Sequence, residues 1–201
     1  MHNSLLKIPV TLATQSKARI AMFKNAGFQV ATQSADIDEL AIKSQLLADG
    51  ATPEKIAAVL ADEKARLISD HTSGFVIGAD QVLECDGKLY DKVSNMDAAR
   101  QKLRALQGQA HRLISAAAIY EDGQPVWKVA GQAQLFMRDM SDTEIEDYLS
   151  LEGEAILSSV GCYFLEGRGA TLFTSIQGDY FVVLGFPLLD VLGYLRERSV
   201  I

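Results

Sequence analysis

The chain has 201 residues, of which 48% are apolar and 22% charged, and its formal net charge is −7. Those proportions exclude a disordered chain, and at this length about 70% of the unfolded surface leaves water on folding, so a core forms without a metal or disulfide staple. The acidic balance argues against a nucleic-acid coat, which needs a basic face, yet permits a locally positive pocket for a small anion.

The two cysteines, Cys85 and Cys162, form no C-x-x-C motif and no disulfide framework, which fits a reduced compartment. The short apolar stretch around Lys7 and Pro9 lacks the form of a secretory leader, and no apolar run reaches the roughly 18 residues that span a bilayer. A soluble, cytoplasmic protein with no membrane or nucleic-acid partner is expected. Without repeats or linkers, residues 1–201 read as one domain.

Strand and helix patterns alternate, which predicts an α/β fold with a mixed sheet. A first strand is expected at residues 10–13. Ser16 then caps a helix over Ile20 and Phe23 that stops at Gly27. A second strand is expected at residues 28–31, followed by a polar stretch at 34–39. Thr52-Pro53-Glu54 combines a capping hydroxyl, a first-turn proline and a first-turn acid, and opens a helix. Ile56, Val59, Leu60 and Leu67 recur on one face of it, and Lys64 falls on that apolar stripe. Residues 74–80 read as a buried strand ending in Asp80, with a hairpin at Cys85-Asp86-Gly87. Ser94 and Asp97 suggest a capping box for a helix ending at Gly108, and Ser141 with Glu144 suggests another. Between them, strands at 113–120 and 126–136 join at Asp122-Gly123. The glycine-rich turn Glu166-Gly167-Arg168-Gly169 precedes strands at 172–176 and 181–184, and Pro187 leads into a closing helix.

No P-loop, full G-x-G-x-x-G, H-E-x-x-H or G-x-S-x-G is present, and His2, His71 and His111 are too scattered for a metal cage. What remains is a set of ionic residues beside caps and strand ends: Arg19, Glu39, Lys64, Asp80 and Lys92. Carboxylates together with Lys and Arg suit a site that holds Mg²⁺ and phosphates at once. Taken singly, each has an ordinary structural explanation, such as a turn acid at Asp80 or a snorkelling stem at Lys64.

Their order is more specific. Leu12-Ala13-Thr14-Gln15-Ser16-Lys17-Ala18-Arg19 resembles the L-A-S-x-S-x-x-R opening of the Maf family of nucleotide pyrophosphatases. Asp38-Glu39, Leu60-Ala61-Asp62-Glu63-Lys64-Ala65, Ile77-Gly78-Ala79-Asp80, Lys92, the segment from Leu106 to His111, Ile176-Gln177-Gly178-Asp179-Tyr180 and Gly185-Phe186-Pro187-Leu188 resemble further signatures of that family in the same order. The resemblance implies an elongated, two-lobed α/β fold with a cleft, related to the inosine-triphosphate pyrophosphatase architecture. It implies hydrolysis of a nucleoside triphosphate to monophosphate and pyrophosphate with Mg²⁺ or Mn²⁺. In that scheme Asp80 is the proton acceptor, Ser16, Arg19, Lys64 and Lys92 bind phosphate, and Glu39 and Asp80 hold the metal. Gln81 and Glu166 resemble the branch that acts on 7-methyl-GTP, and Ala18 stands at a third specificity position, where that branch has an aromatic. A homodimer is compatible with the resemblance. Other departures are Lys17 for Pro, Ile20 for a second Arg, Leu157-Ser158-Ser159 where an Asp-Lys pair is usual, and Val182 for Asn. These departures give the alternative of a catalytically weakened nucleotide-binding protein acting in cell division.

Overall fold

The computed structural model describes residues 6–201, so His2 lies outside them. In chain order the main elements are β1 (Val10–Ala13), α1 (Lys17–Asn25), β2 (Ala31–Thr32), α2 (Glu39–Ala48), α3 (Pro53–Ser69), β3 (Phe75–Cys85) and β4 (Lys88–Tyr90). They continue with α4 (Met96–Leu106), β5 (Ala110–Glu121), β6 (Gln124–Met137), α5 (Asp142–Glu152), β7 (Phe173–Gln177), α6 (Tyr180–Val183) and α7 (Leu188–Glu197). The strands form one mixed sheet in the order β2-β1-β3-β5-β6-β7, with β4 also paired to β3. β1 runs parallel to β2 and β3, and the remaining pairs are antiparallel. Among the described residues, no helix is long and apolar enough to cross a membrane.

Local chemistry accounts for most boundaries. Ser16 and Thr52 accept from backbone amides of the first turns of α1 and α3, and Ser141 and Glu144 complete a reciprocal capping box on α5. Asp122 and Gly123 both have positive φ, 49° and 80°, which matches the right-handed twist of the long β5–β6 hairpin. Four expectations need correction. The second strand is only Ala31–Thr32. The cap of α4 is Asn95, whose side chain takes the Ala98 amide, in place of Ser94. Residues 181–184 do not extend as a strand, because Asp179 accepts from the Phe181 and Val182 amides and winds the apolar run into α6. β3 does not end at Asp80 but continues to Cys85.

The core is divided by the sheet. On one face, α3 packs Ile56, Leu60, Ala61 and Ala65 against Val76, Val82, Ile114 and Ala116. The other face carries two clusters. Phe23, Phe75, Ile77, Phe186 and Val191 gather around α1 and α7; Leu83, Leu103, Leu113, Leu135 and Tyr148 gather around α4 and α5. Gln81 and Ser115 lie between these two clusters, bonded to each other at 3.1 Å.

His111 is buried in the α4–α5 cluster. Its Nε2 meets the Tyr163 hydroxyl at 2.7 Å, while its Nδ1 has no hydrogen-bond partner among the described residues. Burial lowers its pKa from 6.5 to about 4. The unfolded chain therefore takes up this proton at a higher pH than the folded one. Stability is lost as pH falls from about 6.5 toward 4, at about 1.4 kcal/mol per pH unit and roughly 3 kcal/mol in all. Urea titrations of wild type and His111→Gln between pH 7 and 4.5 should show the steeper decline in wild type; parallel lines would refute the assignment.

Candidate functional site

The site forms where the edge of β3 is left open. β1 pairs with β3 only as far as Gly78, and β4 starts pairing on the same edge at Leu83. Residues 79–82 therefore have no strand beside them on that edge, while their other edge is fully paired to β5. The Ala79 carbonyl, which a longer β1 would have used, accepts from Arg19 Nη1 at 2.8 Å. Arg19 also donates Nε to the Gly185 carbonyl at 2.8 Å, and its Nη2 has no hydrogen bond among the described residues. Burial lowers the Arg19 pKa, against the opposing charges of Asp80 and Glu39.

Asp80 points to the face covered by α3, in phase with Val76 and Val82. Close contact with α3 is possible because residue 78 is glycine: a Cβ there would lie 2.2 Å from the Ala61 carbonyl oxygen and 2.5 Å from the Ala65 nitrogen. At this spacing Lys64 Nζ reaches Asp80 Oδ1 at 2.6 Å and Glu39 Oε1 at 2.7 Å. The Lys64 and Asp80 side chains are 11% and 10% exposed, and that of Glu39 is 52% exposed, so the group is closed on the α3 side and open on the α2 side. Partial desolvation pushes the Glu39 pKa up, but the Lys64 hydrogen bond and charge, with Lys92 and Arg19 behind, hold it below the ordinary value. Lys92 itself is exposed, in the loop after β4. Arg19, Glu39, Lys64, Asp80 and Lys92 thus form one electrostatic group. Its three cations outweigh its two carboxylates on a chain whose net charge is −7.

The specificity positions behave differently. Gln81 donates its amide nitrogen to Ser115 Oγ and to the Val182 and Val183 carbonyls at 3.0 Å. It ties β3 to the turn that offers Gly185 to Arg19. Ala18 packs against the α1–α7 cluster. Glu166 is exposed, with no hydrogen bond or ion pair to the group or to any other described residue. Ser16 is spent largely on the α1 cap. Sequence reasoning does not find the contributions of the Gly185 carbonyl or of Ser115. A carbonyl has no signature, and the only hint of Ser115 is a hydroxyl in an otherwise Ala- and Ile-rich strand.

The donor chemistry suits a hard divalent cation shared with a ligand. Asp80 and Glu39 each spend one oxygen on Lys64 and keep the second without a partner among the described residues. No group of three or more His, Cys, Asp or Glu that could hold a metal occurs among those residues; the carboxylate oxygens on offer here are the two of Asp80 and Glu39 that Lys64 leaves free. Mg²⁺ is commonly held this way, by one or two carboxylates together with substrate phosphates.

A family model described as Maf-like protein matches residues 9–198. A nucleoside triphosphate pyrophosphatase of Caulobacter vibrioides is 47% identical over 188 residues, 94% of each chain. The corresponding protein of Roseobacter denitrificans is 47% identical over 192 residues, covering 95% of this chain and 96% of its own. A 7-methyl-GTP pyrophosphatase of Brucella abortus is 41% identical over 197 residues, covering 98% of this chain and 99% of its own.

Proposed function

The chain belongs to the Maf-like family, and from that premise we propose that it hydrolyses a nucleoside triphosphate to the monophosphate and pyrophosphate. The observation that carries this is the net-positive ionic group at the open edge of β3, on an otherwise acidic molecule. Full-length relatives named as nucleoside triphosphate pyrophosphatases support the same reaction.

In this reading Arg19, Lys64 and Lys92 neutralise the polyphosphate, and Arg19 Nη2, without a hydrogen bond among the described residues, is one of the donors available to it. Water attacks the α-phosphorus, the bond to the bridging oxygen breaks, and pyrophosphate leaves. Asp80 accepts the water's proton at the oxygen that Lys64 does not use. Lys64 holds the carboxylate in place through the reaction, which makes the contribution mainly one of positioning and fixed charge. Glu39 would hold Mg²⁺ or Mn²⁺ through the oxygen that Lys64 leaves free, which keeps the free oxygen of Asp80 for the proton; the ion when bound supplies further neutralisation of phosphate charge.

In the same reading the nucleotide is 7-methyl-GTP. Glu166 has a carboxylate without a partner among the described residues, and a carboxylate accepts from the N1–H and exocyclic amine of guanine and favours a cationic methylated ring. Gln81 would act at one remove, through the Val182–Gly185 turn. A relative named as a 7-methyl-GTP pyrophosphatase supports this choice of base. The test is a panel of nucleotides, including 7-methyl-GTP, UTP and dTTP, incubated with Mg²⁺ or Mn²⁺ and analysed for products. Pyrophosphate with the matching monophosphate is expected. Orthophosphate as the product, or no turnover across the panel, would defeat the proposal.

A further inference from the structure

Two lysines are buried among the described residues, Lys64 and Lys102. Lys64 has two carboxylates in contact; Lys102 has none in contact among the described residues. The Lys102 ammonium, on α4, donates to two backbone carbonyls, that of Asp91 and, at 2.8 Å, that of Val160. Burial lowers its pKa. The nearby Asp91 charge opposes this only in part; burying an ammonium with no carboxylate in contact costs free energy that an apolar residue of the same shape would not, so the bonds it makes call for a reason. Asp91 immediately precedes Lys92. The Asp91 side chain also pairs with Lys43 on α2, the helix that begins with Glu39, and the charge of Lys92 reaches Glu39. Lys102 therefore fixes the backbone from which Lys92 projects, and joins that loop to the Val160 segment on its other side. The signal was present in the sequence. Ala99, Leu103 and Leu106 mark the buried stripe of α4, and Lys102 falls on it.

We propose that Lys102 is a positioning residue for polyphosphate: it clamps the loop between β4 and α4 so that Lys92 faces the phosphate tail of the nucleotide. The idea rests on the reading of Lys92 as a phosphate-binding residue. It predicts that Lys102 and Lys92 act as one unit in ligand binding.

The experiment is a double-mutant cycle on pyrophosphate binding with Mg²⁺ present, read by calorimetry on wild type, Lys92→Ala, Lys102→Met and the double variant. Lys102→Met keeps the stem and loses the ammonium; if little folded protein is recovered, Lys102→Gln takes its place in the cycle. Each single change should weaken binding roughly tenfold. The double variant should bind within about twofold of Lys92→Ala. A purely structural lysine would lower the melting temperature and leave the losses multiplicative. Multiplicative losses, a Lys102 variant that binds like wild type, or a Lys92→Ala variant that does so, would each overturn the proposal. Failure of the nucleotide panel would leave this binding cycle standing. A flat cycle beside intact pyrophosphate release would remove only the clamp.

Discussion

Asp80→Asn is expected to lower kcat/KM for pyrophosphate release by 10²- to 10⁴-fold, the usual contribution of a general base, while leaving the protein folded. The asparagine has the shape of the aspartate and can still accept from Lys64. Lys64 keeps Glu39 as a counter-charge at 2.7 Å, so no ammonium is left buried and unpaired. The fold and the chemistry should therefore separate: a melting temperature within a few degrees of wild type, with the rate close to background. A variant retaining a tenth or more of the wild-type kcat/KM would remove Asp80 from the proton transfer, whatever its place in the group.

The largest effect on stability is expected from a methyl group at residue 78. In Gly78→Ala the new Cβ meets the Ala61 carbonyl oxygen and the Ala65 nitrogen, both backbone atoms of α3, well inside van der Waals contact. No side-chain rotation relieves that, so the helix must move off the sheet. Forced overpacking of this kind costs roughly 3 kcal/mol, the upper part of the usual range. For a domain of this size that is a fall of roughly 6–12 °C in melting temperature. Because the same displacement draws Lys64 away from Asp80, activity of the folded fraction should fall as well. An unchanged urea midpoint would show that α3 can yield at no cost, and that its depth is not what sets the ion pair.

The pieces of this site that were legible in the sequence are those with a local signature. Ser16 and Thr52 announce helix starts. Lys64 stands out as a cation within an apolar stripe. Asp80 follows a buried run. What could not be read depended on distant partners or weak periodicity. α2 has no fully buried residue, so no stripe marks it, although it carries Glu39. The four residues of α6 are too few to show a helical period, and their apolar character reads as strand until the Asp179 cap is seen. Gln81 stands at a specificity position only by the resemblance, and nothing local in the sequence shows that its amide nitrogen donates to carbonyls a hundred positions further along the chain.

Arg19, Lys64 and Lys92 stand on elements that pack into three different hydrophobic clusters: α1 beside Phe23, α3 beside Leu60, and the loop after β4, whose neighbours Tyr90 and Val93 lie against Leu103 and its surroundings. The constellation exists only while all three are assembled at once. Turnover thereby acts as a coincidence detector for the whole molecule. Melting of any single cluster scatters the charges and silences the enzyme, even where circular dichroism, which averages over every peptide bond, would still report a mostly intact chain.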